Sequence, residues 1–501
     1  MKYLIGVDIG TQGTKAAIYD TGGRLIAEDT EASNLITPEP GTVRQEPGEI
    51  FDSVLHTIRG VMEHSGVSPS DVAALAFDGQ MAGVMGIGED FEAATYYDSW
   101  LDTRCEPYIE MMKDKAREKV VELTGCPITY AHGPKILWWK HEHPDIYEKI
   151  RKFVMVHGYA AGKLCGLSAE DAFIDYTNIH FTGYADNKNK QWSEELLDIF
   201  DIDPDKMPQI VEPWKQVGKI RKVYAEQCGL AAGTPVMAGC GDSAATALGA
   251  GIVRVGQVFD VAGTASIFSC CVDTYVPDTA HEAMLQMRSV IDGYWQPLAY
   301  INGGGLCLKW FKDDIAHSDY DTLEQEAAQA APGAEGLLFS PHFSGRVCPN
   351  NPNVRGSFIG LSWRHDRGHM YRSIMEGIAY EYRYYLEVLR DIGAGQDFTA
   401  VSAMGGGAKS RLFNQIKADV LGLTYRALKN SDTATLGCAV IAGHGAGIYG
   451  DIAETVESFI ETGDTVGPDS SHDDIYARQY ACYKEQFDAL GGIYRRLKSG
   501  A

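Results

Sequence analysis

The most regular hydrophobic pattern in the chain is a series of short apolar runs that stop at aspartate or glycine. Tyr3 to Val7 is apolar and ends at Asp8; Gly10, Thr11, Gln12 and Gly13 follow, and a second run covers Lys15 to Tyr19. Strand, glycine-rich turn, strand predicts a β-hairpin. A Walker-type phosphate loop requires a helix after the turn and a Gly-Lys-Ser/Thr ending, so that motif is excluded. From Ile50 to Glu63 the residues Phe51, Val54, Leu55, Ile58, Val61 and Met62 recur at helical spacing. Val72 to Phe77 predicts a buried strand leading into Asp78-Gly79-Gln80-Met81, and Glu106 to Leu123 predicts a helix. Pro235 to Ala238 predicts a strand that enters Gly239-Cys240-Gly241-Asp242, ahead of a small, helix-compatible segment from Ser243 to Gly251.

Half a chain later the opening pattern returns. Val258 to Ala262 predicts a strand, Gly263-Thr264 a turn, and Ile267 to Ser269 a second strand. Two copies of one supersecondary unit suggest a duplicated architecture, with residues 1–251 forming one domain and 252–501 another. A further strand, Thr399 to Ser402, runs into Gly405-Gly406-Gly407 and a helix from Arg411 to Leu421; Tyr476 to Lys498 reads as a surface helix. Interleaved strands and helices give an α/β class.

Composition sharpens this in three places. A chain of 501 residues exceeds one hydrophobic core, so two large domains are expected. The formal net charge of −24 is the wrong sign for displacing counterions from nucleic acid or for resting on an anionic membrane. The 11 cysteines include no Cys-x-x-Cys pair, which predicts neither a zinc site nor a disulfide framework. No export-signal layout and no run of about 18 apolar residues appears, so a cytoplasmic protein is expected.

Three glycine-rich turns are candidates for phosphate contact. In Asp8-Ile9-Gly10-Thr11-Gln12-Gly13-Thr14-Lys15 the glycines let backbone approach an anion, Thr11 can donate to it, and Asp8 stands where a magnesium ion would be held. The same residues also suit a plain hairpin with an aspartate cap. Gly263-Thr264 is the second turn and Gly405-Gly406-Gly407 the third, each with a bland reading as a tight turn. Asp242 is placed among glycines at a strand's C-terminal end, where α/β proteins collect ligands. Its carboxylate is suited to take a proton from a substrate hydroxyl, and equally to cap a helix.

In their order and spacing these segments resemble the FGGY carbohydrate kinases, from Tyr3 to about Gly447. Within that family the similarity is closest to the xylulose kinases. Phe77-Asp78-Gly79-Gln80-Met81 resembles their Gly-Gln-Met segment, and Ser99-Trp100-Leu101-Asp102-Thr103-Arg104 their Trp-x-Asp-x-Arg segment. Pro134-Lys135-Ile136-Leu137-Trp138, Arg355 to Leu361, Met375-Glu376-Gly377 and Asp432 to Ala442 resemble further family segments. The chain departs from the pattern at Ala82, where histidine is common, and at Ser243, where asparagine is common. It also departs at Ser344 to Pro349 and at His157-Gly158-Tyr159, where Lys-Asp-Tyr is usual.

The resemblance implies two actin-like, ribonuclease-H-like ATPase domains with an interdomain cleft, and transfer of phosphate from ATP to a sugar hydroxyl. D-xylulose is the expected substrate; another ketose, a polyol, glycerol or a sugar acid is the alternative, and a non-kinase actin-like ATPase a remote one. Asp242 is then the general base and Asp8 the magnesium residue. Gln80, Met81, Trp100 and Asp102, with Asp242, form the sugar side. Thr11, Gly13, Thr14, Lys15, Gly263 and Thr264 face the phosphates, and Gly305, Lys309, Gly407 and Arg411 the nucleoside. A homodimer is the candidate assembly.

Overall fold

The computed structural model describes residues 2–395, 398–429 and 432–498. The chain forms two compact units. Unit 1 contains Met1–Val253 together with Gln286–Trp295 and Asp432–Ile460; unit 2 contains Arg254–Leu285, Gln296–Ser431 and Glu461–Ala501. The principal break falls at Val253, close to the expected boundary, but neither unit is one continuous half of the chain.

Unit 1 is built on a mixed sheet with the order Gln216–Lys219, Pro235–Met237, Val72–Gly79, Tyr3–Ile9, Gly13–Asp20, Leu25–Ala32; Cys240–Gly241 also pairs with Val72–Gly79. Tyr3–Ile9 and Gly13–Asp20 are the antiparallel hairpin, and Tyr3–Ile9 runs parallel to Val72–Gly79. Leu4, Ile5, Val7, Leu75 and Phe77 are buried because both faces of the sheet are covered. One cover is the helix Pro47–Ser65, whose Ile50, Phe51, Val54, Leu55, Ile58 and Val61 face inward. Proline in its first turn and Gly66, at φ 63° just past its end, mark its limits.

The helix Thr433–Gly445 also packs in unit 1, although Arg254–Leu285 and Gln296–Ser431, both in unit 2, separate it in sequence from most of that unit. Its reason for returning is steric. A Cβ on Gly6 would lie 2.0 Å from the Thr435 carbonyl oxygen, and one on Gly249 1.8 Å from that of Thr433. Only glycine permits these backbones to touch, and such pairing of remote small residues leaves no periodic trace in sequence.

Unit 2 repeats the scheme. Val258–Ala262 and Ser266–Cys270 form an antiparallel hairpin, and Val258–Ala262 runs parallel to Ala400–Met404. Trp295–Ile301 extends the sheet on one side, Thr424–Leu428 and Thr462–Val466 on the other. The last helix, Asp473–Lys498, is more deeply seated than a surface helix. Tyr476, Tyr480 and Tyr483 are buried, and the Tyr476 and Tyr483 hydroxyls reach Glu376 and Glu381 on the helix Arg367–Asp391. Among the described residues no helix is long and apolar enough to cross a membrane.

Candidate active site

In unit 1 the chemistry gathers at the C-terminal ends of three neighbouring parallel strands. Register pairs Asp8 with Asp78, and Asp78 with Cys240. Two residues beyond Cys240, Asp242 opens the helix Asp242–Gly249. The N-cap is Gly241, so Asp242 is the first helical residue and not the cap; its Oδ1 accepts the Ser243 N–H at 2.6 Å. Burial pushes the Asp242 carboxyl up to about 7, with the nearby charge of Asp8 adding to the effect and hydrogen bonds from Ser243 opposing it. Asp8 is pushed up to about 6, chiefly by burial. Asp78, wholly buried, is held well above the carboxylate range by burial and by the charge of Asp8. The thiol of Cys438 donates to Asp78 Oδ2 at 3.1 Å, while Oδ1 has no protein partner.

This arrangement places a half-buried carboxyl of near-neutral affinity for protons at the start of a helix, beside two further carboxyls. In the sequence Asp78 is only part of the Phe77–Met81 segment, because an acid at a strand end carries no signal of its own. Its register with Asp8 is what gives it a place here.

The first turn is closed by Gly10 N–H donating to the Gly13 carbonyl at 2.9 Å. Thr11 is bound to two of the residues expected on the sugar side: its hydroxyl donates to Gln80 Oε1 at 3.2 Å and accepts the Trp100 indole N–H at 2.8 Å. Gln80 is buried, and its amide donates to Gln45 Oε1 at 2.7 Å. Thr11, Gln80 and Trp100 are thus one network. Met81 is buried against Gly241, where an added Cβ would meet its Cε at 2.5 Å.

Three expected contacts stand differently. Thr14 is fully buried and its hydroxyl bonds Ser53 at 2.6 Å, since strand alternation turns it toward the helix Pro47–Ser65. It faces the core and not a phosphate. The Lys15 ammonium bridges Glu28 at 2.7 Å and Asp432 at 2.6 Å. Asp102 already has protein partners: it accepts Val43 N–H at 2.9 Å and the Arg104 guanidinium at 2.9 Å.

In unit 2, Gly263, Thr264, Gly305 and Gly407 are brought together. A Cβ on Gly305 would strike the Gly263 carbonyl oxygen at 1.9 Å, and one on Gly407 would meet Ala262 Cβ at 2.7 Å. Gly405, at φ 83°, folds the triple-glycine turn onto the end of Val258–Ala262. Arg411, Leu412 and Gln415 line an open groove of about 540 Å³ with Asp321, Glu324 and Gln325. Lys309 stands apart, exposed and paired with Asp313 at 2.6 Å. Among the described residues no three metal-ligating side chains converge into a closed metal site.

Residues 3–249 match the model of the FGGY family of carbohydrate kinases, N-terminal domain, and residues 261–446 that of the C-terminal domain. A xylulose kinase of Staphylococcus epidermidis is 28% identical over 500 residues, covering 99% of this chain and 97% of its own. A gluconokinase of Bacillus subtilis is 28% identical over 487 residues, covering 94% and 92%. Among solved structures, a ligand-bound xylulose kinase from Lactobacillus acidophilus superposes with a TM-score of 0.91 at 25% identity, covering 99% of this chain and 100% of that one. Two duplicated α/β units with a carboxylate-rich strand end, matched by family models over both halves, place the chain in the FGGY family of carbohydrate kinases: it is a sugar kinase.

Proposed function

We propose that this kinase phosphorylates a neutral polyhydroxylated sugar, with D-xylulose to D-xylulose 5-phosphate the first candidate and magnesium-bound ATP the donor. The observation that carries the reading is the Asp242 carboxyl, half-buried and pushed up to about 7, beside Gly241 on which Met81 packs. A group of that affinity takes the proton of an attacking hydroxyl near neutral pH. The sugar oxygen then bonds to the γ-phosphorus as the bond to the β-phosphate oxygen breaks and ADP leaves. Gln80 and Met81 line the sugar, and Trp100 orients Thr11. Backbone N–H groups of the turns at Gly10–Gly13 and Gly263–Thr264 contact phosphates, Gly305 and Gly407 give the nucleotide close access to backbone, and Arg411 edges its groove.

Asp8, with Asp78 beside it, would hold the magnesium ion. The fit rests on Asp78 Oδ1, buried without a protein partner next to Asp8. Magnesium takes one or two carboxylates and keeps waters and phosphate oxygens for the rest, so no closed protein cage is needed. When bound, it supplies neutralisation of phosphate charge.

A neutral substrate is supported by two cations of the expected sugar-side segments being already paired. Arg104 is spent on Asp98 at 2.5 Å and on Asp102, and Lys135 on the Tyr130 carbonyl. Similarity to a gluconokinase supports the second reading, a sugar acid. The deciding experiment is coupled ADP release with magnesium-ATP over ketopentoses, polyols, glycerol and aldonates. D-xylulose should rank first. Turnover confined to aldonates would replace the substrate, and no turnover with any of them would overturn the reading. Cytoplasmic location and a homodimer belong to the same proposal; light scattering tests the dimer.

A further inference from the structure

Away from the three strand-end carboxyls lies a second buried acid that none of the foregoing roles uses. Asp175 ends the short strand Phe173–Asp175, which is paired in parallel with Gln209–Val211. It is fully buried. Its Oδ1 receives the Thr177 N–H at 2.9 Å and also the Thr177 hydroxyl; its Oδ2 receives Asn178 Nδ2 at 2.7 Å and faces His157 Nε2 at 2.9 Å. Because Asp175 takes the hydroxyl proton of Thr177, the lone pairs of that oxygen are turned elsewhere. They accept the N–H of Gly241 at 3.0 Å. Gly241 is the N-cap from which Asp242 projects, and its strand pairs with Gly79.

His157 closes the other side. A Cβ on Gly79 would lie 3.2 Å from His157 Nδ1, so the imidazole rests against the strand that flanks Gly241. The ring is buried, and Nδ1 has no hydrogen-bond partner. Asp175 is therefore a hub. One arm braces the Val72–Gly79 strand end through His157, and the other holds the Gly241 peptide through Thr177.

We propose that Asp175 and Thr177 are positioning residues for the phosphoryl transfer, fixing the Gly241 peptide so that the Asp242 carboxylate points at the attacking hydroxyl. This rests on the reading of Asp242 as the base. Glycine at 241 has no side chain to hold its own orientation, and an N-cap residue makes no helical N–H bond of its own. The Thr177 oxygen supplies what the local sequence does not. Without it the peptide is free to turn, and Asp242 loses alignment while the sugar and nucleotide contacts stay in place.

The test compares Thr177→Val, which keeps shape and removes the acceptor, with Thr177→Ser, which keeps the acceptor. Thr177→Val should lower kcat by roughly 10–100-fold, the range for a reacting group displaced by an ångström or less, with both KM values within about threefold. Thr177→Ser should restore most of the rate. Asp175→Asn should lower kcat likewise, since its amide group meets the Asn178 amide donor where Oδ2 had accepted it, and the hub that holds Thr177 is disturbed. Unchanged kcat in a folded Thr177→Val protein overturns the proposal, and so does a serine variant as slow as the valine one. Should Thr177→Val not fold, Thr177→Ala against Thr177→Ser decides by the same criteria. Wild type and Asp242→Asn are run in parallel. An active wild type with an equally active Asp242→Asn sinks the base assignment; an active wild type, a disabled Asp242→Asn and an undiminished Thr177→Val sink this inference alone.

Discussion

The two hairpins, Tyr3–Asp20 and Val258–Cys270, share a fold and a Gly-Thr turn, yet their acids sit in opposite surroundings. In the first, Asp8 stands two residues before Gly10, half-buried beside Asp78, with the charge of Lys15 only partly offsetting the effect of burial. In the second the equivalent position is Val261, and the acid is one residue earlier. Asp260 is fully buried, ion-paired with the buried Lys417, and accepts the Tyr382 hydroxyl at 2.8 Å. A one-residue offset on a strand reverses the face a side chain takes. One hairpin thus presents a half-buried carboxyl beside a neighbouring strand's acid, and the other locks its carboxylate into the core. The same supersecondary unit leaves its acid half-buried in one copy and ion-paired in the core in the other.

The largest effect that would sharpen this contrast is at Asp242. Asp242→Asn should reduce turnover by about 10²–10⁴-fold with ATP affinity little changed; steady-state kinetics with near-normal turnover would remove it as the base. Asp8 and Asp260 come next, as a pair. Asp8→Ala should raise the magnesium requirement by roughly 10–100-fold, by analogy with lost metal-site partners, and leave sugar affinity largely intact. Asp260→Asn should do the reverse. It strands a buried ammonium, a loss of about 3–5 kcal/mol, so denaturation should show it while the kinetics of folded protein stay close to wild type. A kinetic defect without a stability defect at Asp260 would break the comparison.

Dependence on pH follows with a definite sign. A base with its carboxyl pushed up to about 7 must be ionised, so kcat/KM should fall as pH drops below that value. The same shift acts oppositely on folding. The native protein holds a proton that the unfolded chain releases near 3.8, so this contribution to stability is greatest at low pH and is lost as pH rises through about 7. Asp242→Asn should therefore raise the unfolding midpoint at pH 8 and much less at pH 5. A midpoint unchanged at pH 8 would contradict the shift. The smallest effect is expected for Trp100→Phe. Losing the indole N–H to Thr11 should raise the sugar KM by roughly 3–10-fold, the weight of one hydrogen bond; a rise in the KM for ATP instead would assign Thr11 to the phosphate side.

The hairpins, the helix Arg411–Leu421 and the location of Asp242 were legible because apolar runs and glycines are local signals. The carboxyl of Asp78 and the hub at Asp175 were not, since their meaning lies in register and in hydrogen bonds across 60 or more residues, as from Thr177 to Gly241. The surroundings of Thr14 and Lys15 were not legible for a different reason: a turn motif reads as continuous in sequence, whereas the strand that follows it alternates faces, so Thr14 meets Ser53 and Lys15 reaches Glu28 and Asp432. The return of Thr433–Gly445 to unit 1 was not legible either, because glycine-mediated contacts between remote residues bring it about.

That recruitment bears on how the protein is made. Domains generally fold in the order they leave the ribosome, but here the first unit cannot close early. Its sheet is complete once Cys240–Gly241 has been synthesised, while the helix that covers Gly6 and donates from Cys438 to Asp78 is still unmade. Until residue 445 or so emerges, the nascent unit carries an open apolar face and a buried-acid site without its lid of protein. A fragment ending at residue 251 inherits that defect permanently, and coexpression with a peptide spanning 432–460 is the complementation that should repair it.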